Sequence, residues 1–137
     1  MKRVLVFGIF DGIHDGHRHF FKEARVFGDE LVVVVGRDDI AKVLKGKIPR
    51  KSEEQRIRDL KAETLVDLAV LGDEQLSTYK VVEDLQPHVI CLGYDQEAFE
   101  RDLRAWIEAN NPSIEVNILS ALKPDELHSS ILYGKNG

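Results

Sequence analysis

Four short apolar runs, at residues 4–7, 31–35, 65–71 and 89–92, are rich in β-branched side chains and too uniformly apolar to be half-exposed strands. A strand has this composition when both of its faces are covered. Between the runs lie segments with helical spacing or strong helix formers, around residues 16–27, 52–62, 76–85 and 96–109. Strands alternating with helices predict an α/β chain with a parallel sheet. A fifth strand is expected at residues 114–119 and a short last helix from near His128. The punctuation agrees, because Gly28-Asp29 closes the first helix, Gly36 and Gly72 end strands, and Pro87 and Pro112 precede strands. With no internal repeat or linker, residues 1–137 are expected to form one domain.

Charge and cysteine usage narrow the function classes. There are 19 Lys and Arg against 24 Asp and Glu, a net charge of −5 that repels polyanions, so general nucleic-acid binding is not expected. The single cysteine, Cys91, excludes an internal disulfide and points to a reducing, cytoplasmic setting. It sits in an apolar run and reads as a small core residue. No apolar run reaches the roughly 18 residues of a membrane span. The stretch behind Met1-Lys2-Arg3 is too short for a signal peptide and is interrupted by Asp11 and His14.

Residues 42–51, Lys-Val-Leu-Lys-Gly-Lys-Ile-Pro-Arg-Lys, place five basic side chains in a loop-like segment of an acidic chain. A solvated loop is one explanation. The segment also follows the second strand, and so lies at the carboxyl edge of the sheet, where open α/β folds bind ligands. More informative is Phe7-Gly-Ile-Phe-Asp-Gly-Ile-His-Asp-Gly-His17, which carries the first strand directly into the first helix. Such a junction offers backbone N–H groups and a positive dipole end to an anion. The glycines match neither the G-x-G-x-x-G dinucleotide fingerprint nor the P-loop. Instead His14 and His17, three apart at the helix start, place two imidazoles where both reach one phosphate. In-line displacement at phosphorus by a phosphate oxygen needs no enzyme nucleophile, only alignment and stabilisation of charge on the phosphoryl oxygens.

The segment Gly8-Ile-Phe-Asp-Gly-Ile-His-Asp-Gly-His17 resembles the G-[TCV]-F-D-x-x-H-x-G-H signature of the cytidylyltransferase-like nucleotidyltransferases. The resemblance continues through the strand opening Gly28-Asp-Glu-Leu, Arg37-Asp38, Leu44-Lys-Gly-Lys47, Glu53-Glu-Gln-Arg56, Leu92-Gly-Tyr-Asp-Gln96 and His128-Ser-Ser130. It implies a Rossmann-like three-layer sandwich with a five-stranded, mainly parallel sheet. It also implies transfer of a nucleoside monophosphate from a nucleoside triphosphate to a phosphate-bearing acceptor, with release of pyrophosphate.

By this resemblance His14 and His17 stabilise the transition state, and Lys45 reaches the triphosphate or the acceptor phosphate. Gly8, Ile9, Phe10 and Gly16 line the nucleotide, Asp11 orders the turn or the metal, and Arg56 contacts phosphate. Gly93, Asp95 and Gln96 border base and ribose, while Ser129 and Ser130 bond the outer phosphates or cap the last helix. Asp38, Lys42, Lys47 and Tyr94 fall to the acceptor, with Tyr94 either stacking on a ring or capping the sheet edge. Phe99 and Trp106, seven apart, read as packing or dimer contact. Mg²⁺ is expected with the nucleotide rather than in a dedicated site, because a helix turns His19 away from His14 and His17.

This chain departs from glycerol-3-phosphate cytidylyltransferases in four places: Ile9 for the common Thr, Thr64 for a second Arg, Lys123 for another Arg, and Lys123-Pro-Asp-Glu-Leu-His-Ser-Ser130 for their closing motif. Leu92-Gly-Tyr-Asp-Gln96 and His128-Ser-Ser130 are more similar to archaeal-type FAD synthetases. ATP with FMN is therefore the first expectation, and CTP with glycerol-3-phosphate or a related phospho-alcohol the alternative. A non-catalytic nucleotide-binding module is the alternative of another class. The family resemblance further implies a homodimer.

Overall fold

The computed structural model describes residues 2–119. The chain runs β1 (Arg3–Gly8), α1 (Asp15–Arg25), β2 (Glu30–Val35), α2 (Asp38–Lys45), α3 (Glu53–Lys61), β3 (Leu68–Leu71), α4 (Lys80–Leu85), β4 (Val89–Leu92), α5 (Glu97–Asn110) and β5 (Glu115–Ile118). The expected last helix, with His128, Ser129 and Ser130, lies outside the described residues.

All strand pairs are parallel, and the sheet order is β3-β2-β1-β4-β5. Successive strand residues point to opposite faces, and the core divides accordingly. Val4, Val6, Leu31 and Val33 pack with Phe21 and Ala24 of α1 and Leu60 of α3. Leu5, Val32, Ile90 and Leu92 pack on the other face with Val82 of α4 and Leu103 and Ile107 of α5. This is the three-layer α/β sandwich expected from the sequence, and at β1, β2 and β4 the apolar runs are explained by helices covering both faces; the run expected as a buried strand at residues 65–71 instead forms the edge strand β3, which starts at Leu68 and leaves that side chain exposed.

The helices start and stop on local chemistry. The Ser52 side chain accepts the Gln55 N–H at 3.2 Å, and Glu53 and Glu54 follow in the first turn of α3. Lys22 and Arg25 lie in the last turn of α1, beside its negative end.

Two boundaries correct the sequence expectations. The basic segment is not a loop throughout, since its first four residues complete α2, which stops at Gly46 in a left-handed conformation with φ +76°. Residues 76–79 are not helical. Ser77 and Tyr79 carry positive φ values of 62° and 50°, so α4 begins only at Lys80. Among the described residues no helix is long and apolar enough to cross a membrane.

Because every strand is parallel, all five carboxyl ends lie on one edge. The chain proceeds from β1 outward to β2 and β3, then returns to β4 on the other side of β1. That reversal makes the β1/β4 crevice the topological switch point, where ligands of open α/β sheets bind.

Candidate functional site

The residues at the β1 exit form a tight turn. Phe10 takes a left-handed φ of 57° and is buried against the ring of Phe21, with centroids 5.5 Å apart. Gly12 follows at φ +113°, which side chains rarely adopt. Asp11 fastens the turn to the basic segment: its carboxylate accepts the backbone N–H groups of Arg50 at 2.8 Å and Lys51 at 2.9 Å. Of the two roles considered for Asp11, the geometry displays the ordering of the turn.

His14 is the N-cap of α1. Its Nδ1 accepts the Gly16 N–H at 3.0 Å, while Nδ1 of His17 accepts the His14 N–H at 3.3 Å, a reciprocal capping box built from imidazoles. The Gly16 N–H is therefore committed within the helix start. The two rings stack with centroids 3.8 Å apart, and Phe10 meets the His17 ring edge-on at 5.1 Å.

An Nδ1 that accepts carries no proton, so the neutral ring is protonated at Nε2. Both rings are held neutral. Burial pushes His17 down to about 3, with the His14 and Arg18 charges adding to the effect. Burial also lowers His14, against the opposing pull of Asp15. The pair thus supplies two Nε2–H donors at neutral pH, and neither depends on being cationic.

This neutrality sets a pH dependence of stability. The unfolded chain takes up a proton at His17 below about pH 6.5 and the folded chain does not until about 3, so this ring makes stability fall as the pH drops from about 6.5 toward 3 and leaves it flat above, and the lowered His14 acts in the same direction. The slope from His17 reaches at most ~1.4 kcal/mol per pH unit. Urea midpoints between about pH 5 and 8, above most carboxylate titration, are expected to show it, and His17→Asn to reduce it.

Beside the β1 turn, on the α5 face, opens a cavity of about 620 Å³. Gly8, Ile9, Lys45, Asp95 and Gln96 line it, as the sequence expectation placed them near one another. Burial lowers the Lys45 pKa, with Asp95 opposing and Lys47 adding, and burial raises that of Asp95. The two therefore face each other's field across the cavity. Gln96 braces the edge with both ends of its amide: Oε1 accepts the Gly93 N–H at 2.8 Å, and Nε2 donates to the Phe7 carbonyl at 3.3 Å.

Arg56 corrects the sequence expectation most sharply. Its side chain is fully buried, and it donates to the carbonyls of Lys51 (3.1 Å), Ile9 (2.8 Å) and Gly36 (2.7 Å) and to the Asp38 carboxylate (2.6 Å). No phosphate reaches a guanidinium enclosed in this way. Asp38 is likewise engaged with Arg56 rather than held for an acceptor. Lys42 and Lys47 are exposed and outside the cavity wall, as is Tyr94. Ser129 and Ser130 lie outside the described residues.

Sequence reasoning missed the far wall of the cavity. Tyr79 is buried, and its hydroxyl donates to the Asp102 carboxylate, which also accepts from the Ser77 hydroxyl at 2.7 Å. Phe99 and Trp106, expected as packing or dimer contact, both pack on the Tyr79 ring, at 6.1 and 5.5 Å between centroids. Asp73 anchors the connecting segment by accepting the Val81 N–H and the Thr78 hydroxyl, each at 3.0 Å. Cys91 is a core residue whose thiol burial pushes up to about 12.

The structure thus sets paired imidazoles at the switch-point edge of a parallel sheet with a lysine on the adjoining cavity wall, and similarity to known proteins makes the chain a nucleotidyltransferase. The chain belongs to the cytidylyltransferase-like family, whose model matches residues 5–133. A FAD synthase from Thermoplasma volcanium is 43% identical over 131 residues, covering 95% of this chain and 89% of that protein. Another, from Thermococcus sibiricus, is 37% identical over 134 residues, covering 97% of this chain and 90% of that one. The crystal structure of a Thermoplasma volcanium protein described as a lipopolysaccharide core biosynthesis protein superposes with a TM-score of 0.82 at 39% identity, covering 90% of this chain and 99% of that one.

Proposed function

We propose that this nucleotidyltransferase adenylylates FMN, joining ATP and FMN to give FAD and pyrophosphate. The observation that carries the catalytic part is the neutral pair His14 and His17, fixed by their own capping box with Nε2 as the protonated nitrogen. The similarity to FAD synthases over nearly the whole chain supports the choice of substrates. It gives no support to CTP with glycerol-3-phosphate.

In the reaction an FMN phosphate oxygen attacks the α-phosphorus of ATP. A new P–O–P bond forms, the bridge between the α- and β-phosphates breaks, and pyrophosphate leaves with that electron pair. Two Nε2–H donors stabilise the charge that gathers on the α-phosphoryl and bridging oxygens. Because they are already neutral donors, they need not reorganise or exchange a proton with solvent when the transition state forms. Lys45, partly desolvated on the cavity wall, holds the acceptor phosphate against its own repulsion for the triphosphate.

Mg²⁺ enters with ATP. Phosphate oxygens and water would supply most of its ligands, and bound there it would neutralise charge on the polyphosphate and aid departure of pyrophosphate.

The test crosses ATP and CTP against FMN, glycerol-3-phosphate, phosphocholine and phosphoethanolamine with Mg²⁺, following pyrophosphate release and product mass. Pyrophosphate and FAD from ATP with FMN alone is the expected result. CTP with a phospho-alcohol would overturn the substrate assignment, and nucleotide binding without turnover on any pair would overturn catalysis.

A further inference from the structure

Two neutral imidazoles donate hydrogen bonds but bring no net charge, while the leaving pyrophosphate takes the electron pair of the broken bridge and gathers anionic charge. On the protein side that charge calls for a cation near the β1 turn. Most of the cations there are committed. Arg56 is enclosed by its carbonyl partners, Arg18 donates to Glu63 at 2.9 Å and to Asp15 at 3.0 Å, and the Lys51 ammonium reaches Asp59 at 2.8 Å.

Arg50 is placed differently. Asp11 accepts its backbone N–H at 2.8 Å, which fastens the residue to the β1 turn. Both oxygens of that carboxylate are engaged by backbone N–H groups, and Nε of Arg50 stands 4.0 Å away, beyond hydrogen-bond distance. The side chain is 87% exposed, and its guanidinium makes no hydrogen bond among the described residues. Its Nη2 lies beside Gly12, where a Cβ would come within 3.8 Å of it. Gly12 is two residues before His14, so a guanidinium with its fork of donors unspent stands over the turn from which the imidazoles emerge.

Arg50 also stands apart from the cavity wall that carries Lys45. In-line displacement sets the entering and leaving oxygens on opposite sides of the phosphorus. With Lys45 at the acceptor phosphate, a cation off that wall and over the β1 turn falls to the leaving side. We propose that Arg50 is a further catalytic residue, whose guanidinium binds the outer phosphates of the triphosphate and then the departing pyrophosphate. The inference rests on the placement of Lys45 proposed above and not on the identity of the acceptor. It concerns a residue that the family resemblance passes over, since that resemblance assigns Lys42, Lys45, Lys47 and Arg56. A planar fork suits phosphate oxygens, and this one turns to them without breaking any side-chain hydrogen bond of the described fold.

The full-length protein is titrated calorimetrically with pyrophosphate and Mg²⁺, a binding measurement that needs no acceptor, and its kinetics with ATP and FMN are followed in parallel. Arg50→Ala is expected to raise the pyrophosphate Kd by about 10–100-fold and to lower kcat/KM for ATP by a similar factor, with the FMN KM within about twofold. Arg50→Lys, which keeps the charge but not the fork, is expected to recover only part of the loss. The urea midpoint of Arg50→Ala is expected to match that of wild type, because an exposed side chain with no hydrogen bond in the described fold is removed. An unchanged pyrophosphate Kd, or no binding of pyrophosphate by wild type, overturns the proposal. A raised FMN KM with pyrophosphate binding intact also overturns it, giving Arg50 to the acceptor and displacing Lys45 from that role. If wild type makes no FAD, the FMN reading falls, while the pyrophosphate titration still decides the role of Arg50.

Discussion

His17→Ala is expected to lower kcat by about 10²–10³ while ATP binding changes severalfold at most, the signature of losing one preorganised donor that acts in the transition state. The comparison must hold the fold constant, because Nδ1 of His17 also accepts the His14 N–H at 3.3 Å. His17→Asn separates the roles. The shorter amide keeps an acceptor for the cap but cannot place a donor where Nε2–H was, so it is expected to recover folding stability without recovering kcat. Steady-state kinetics with a direct ATP titration reads both. If ATP affinity and kcat fall by the same factor, the ring is a binding group only. If His17→Asn restores turnover, its part is structural. The neutrality of the pair adds a further check: with His17 held down to about 3 before substrate binds, kcat/KM is expected to show no acidic limb from this ring between about pH 5 and 8.

The histidine pair was legible in the sequence because its geometry is local. Three residues at a helix start bring two rings together in any α-helix, so spacing alone carries the prediction. The buried strands were legible for a similar reason, since covering both faces leaves a uniformly apolar run that needs no knowledge of the partners. The cavity wall was not. Tyr79 and Asp102 stand 23 residues apart and are joined by a side-chain bond across two elements. The αL residues Ser77 and Tyr79 carry no glycine signal to mark the turn that presents them. Helix α2 hid because it buries only Ala41 and leaves Val43 and Leu44 exposed, so its apolar residues mark no core-facing stripe and its lysines run on into the basic loop. Arg56 was misjudged because arginine is mostly an exposed residue, and its acceptors are backbone carbonyls that any sequence has.

That enclosure makes Arg56→Ala the substitution with the largest expected effect on stability. The guanidinium joins three segments that approach one another only in the fold: the β1 exit at Ile9, the β2 exit at Gly36 with Asp38, and the chain before α3 at Lys51. Removing it strands three carbonyls whose unmet hydrogen bonds cost about 1–3 kcal/mol each if none is replaced. Water entering the vacated space restores part, and Asp38 is about one-third exposed, so its carboxylate is rehydrated rather than left as a buried charge. The net loss is expected at about 3–5 kcal/mol, against a total of about 5–15 for a domain of this kind. Arg56→Lys is expected to recover little, because one ammonium cannot span acceptors on three segments that a planar fork of five N–H donors reaches. Urea unfolding followed by circular dichroism measures both variants. A loss under about 1 kcal/mol with a large rise in the ATP KM would return Arg56 to the phosphate role that the family resemblance implied. Asp38→Asn refines the comparison: it removes the ionic partner but leaves the three carbonyl bonds, so its cost is expected to be roughly a third of that of Arg56→Ala or less. The ordering of the three variants then shows whether the clamp works through its charge pair or through the backbone it gathers. The backbone is the expected answer, because the same bond to Ile9 fixes the turn from which His14 and His17 emerge.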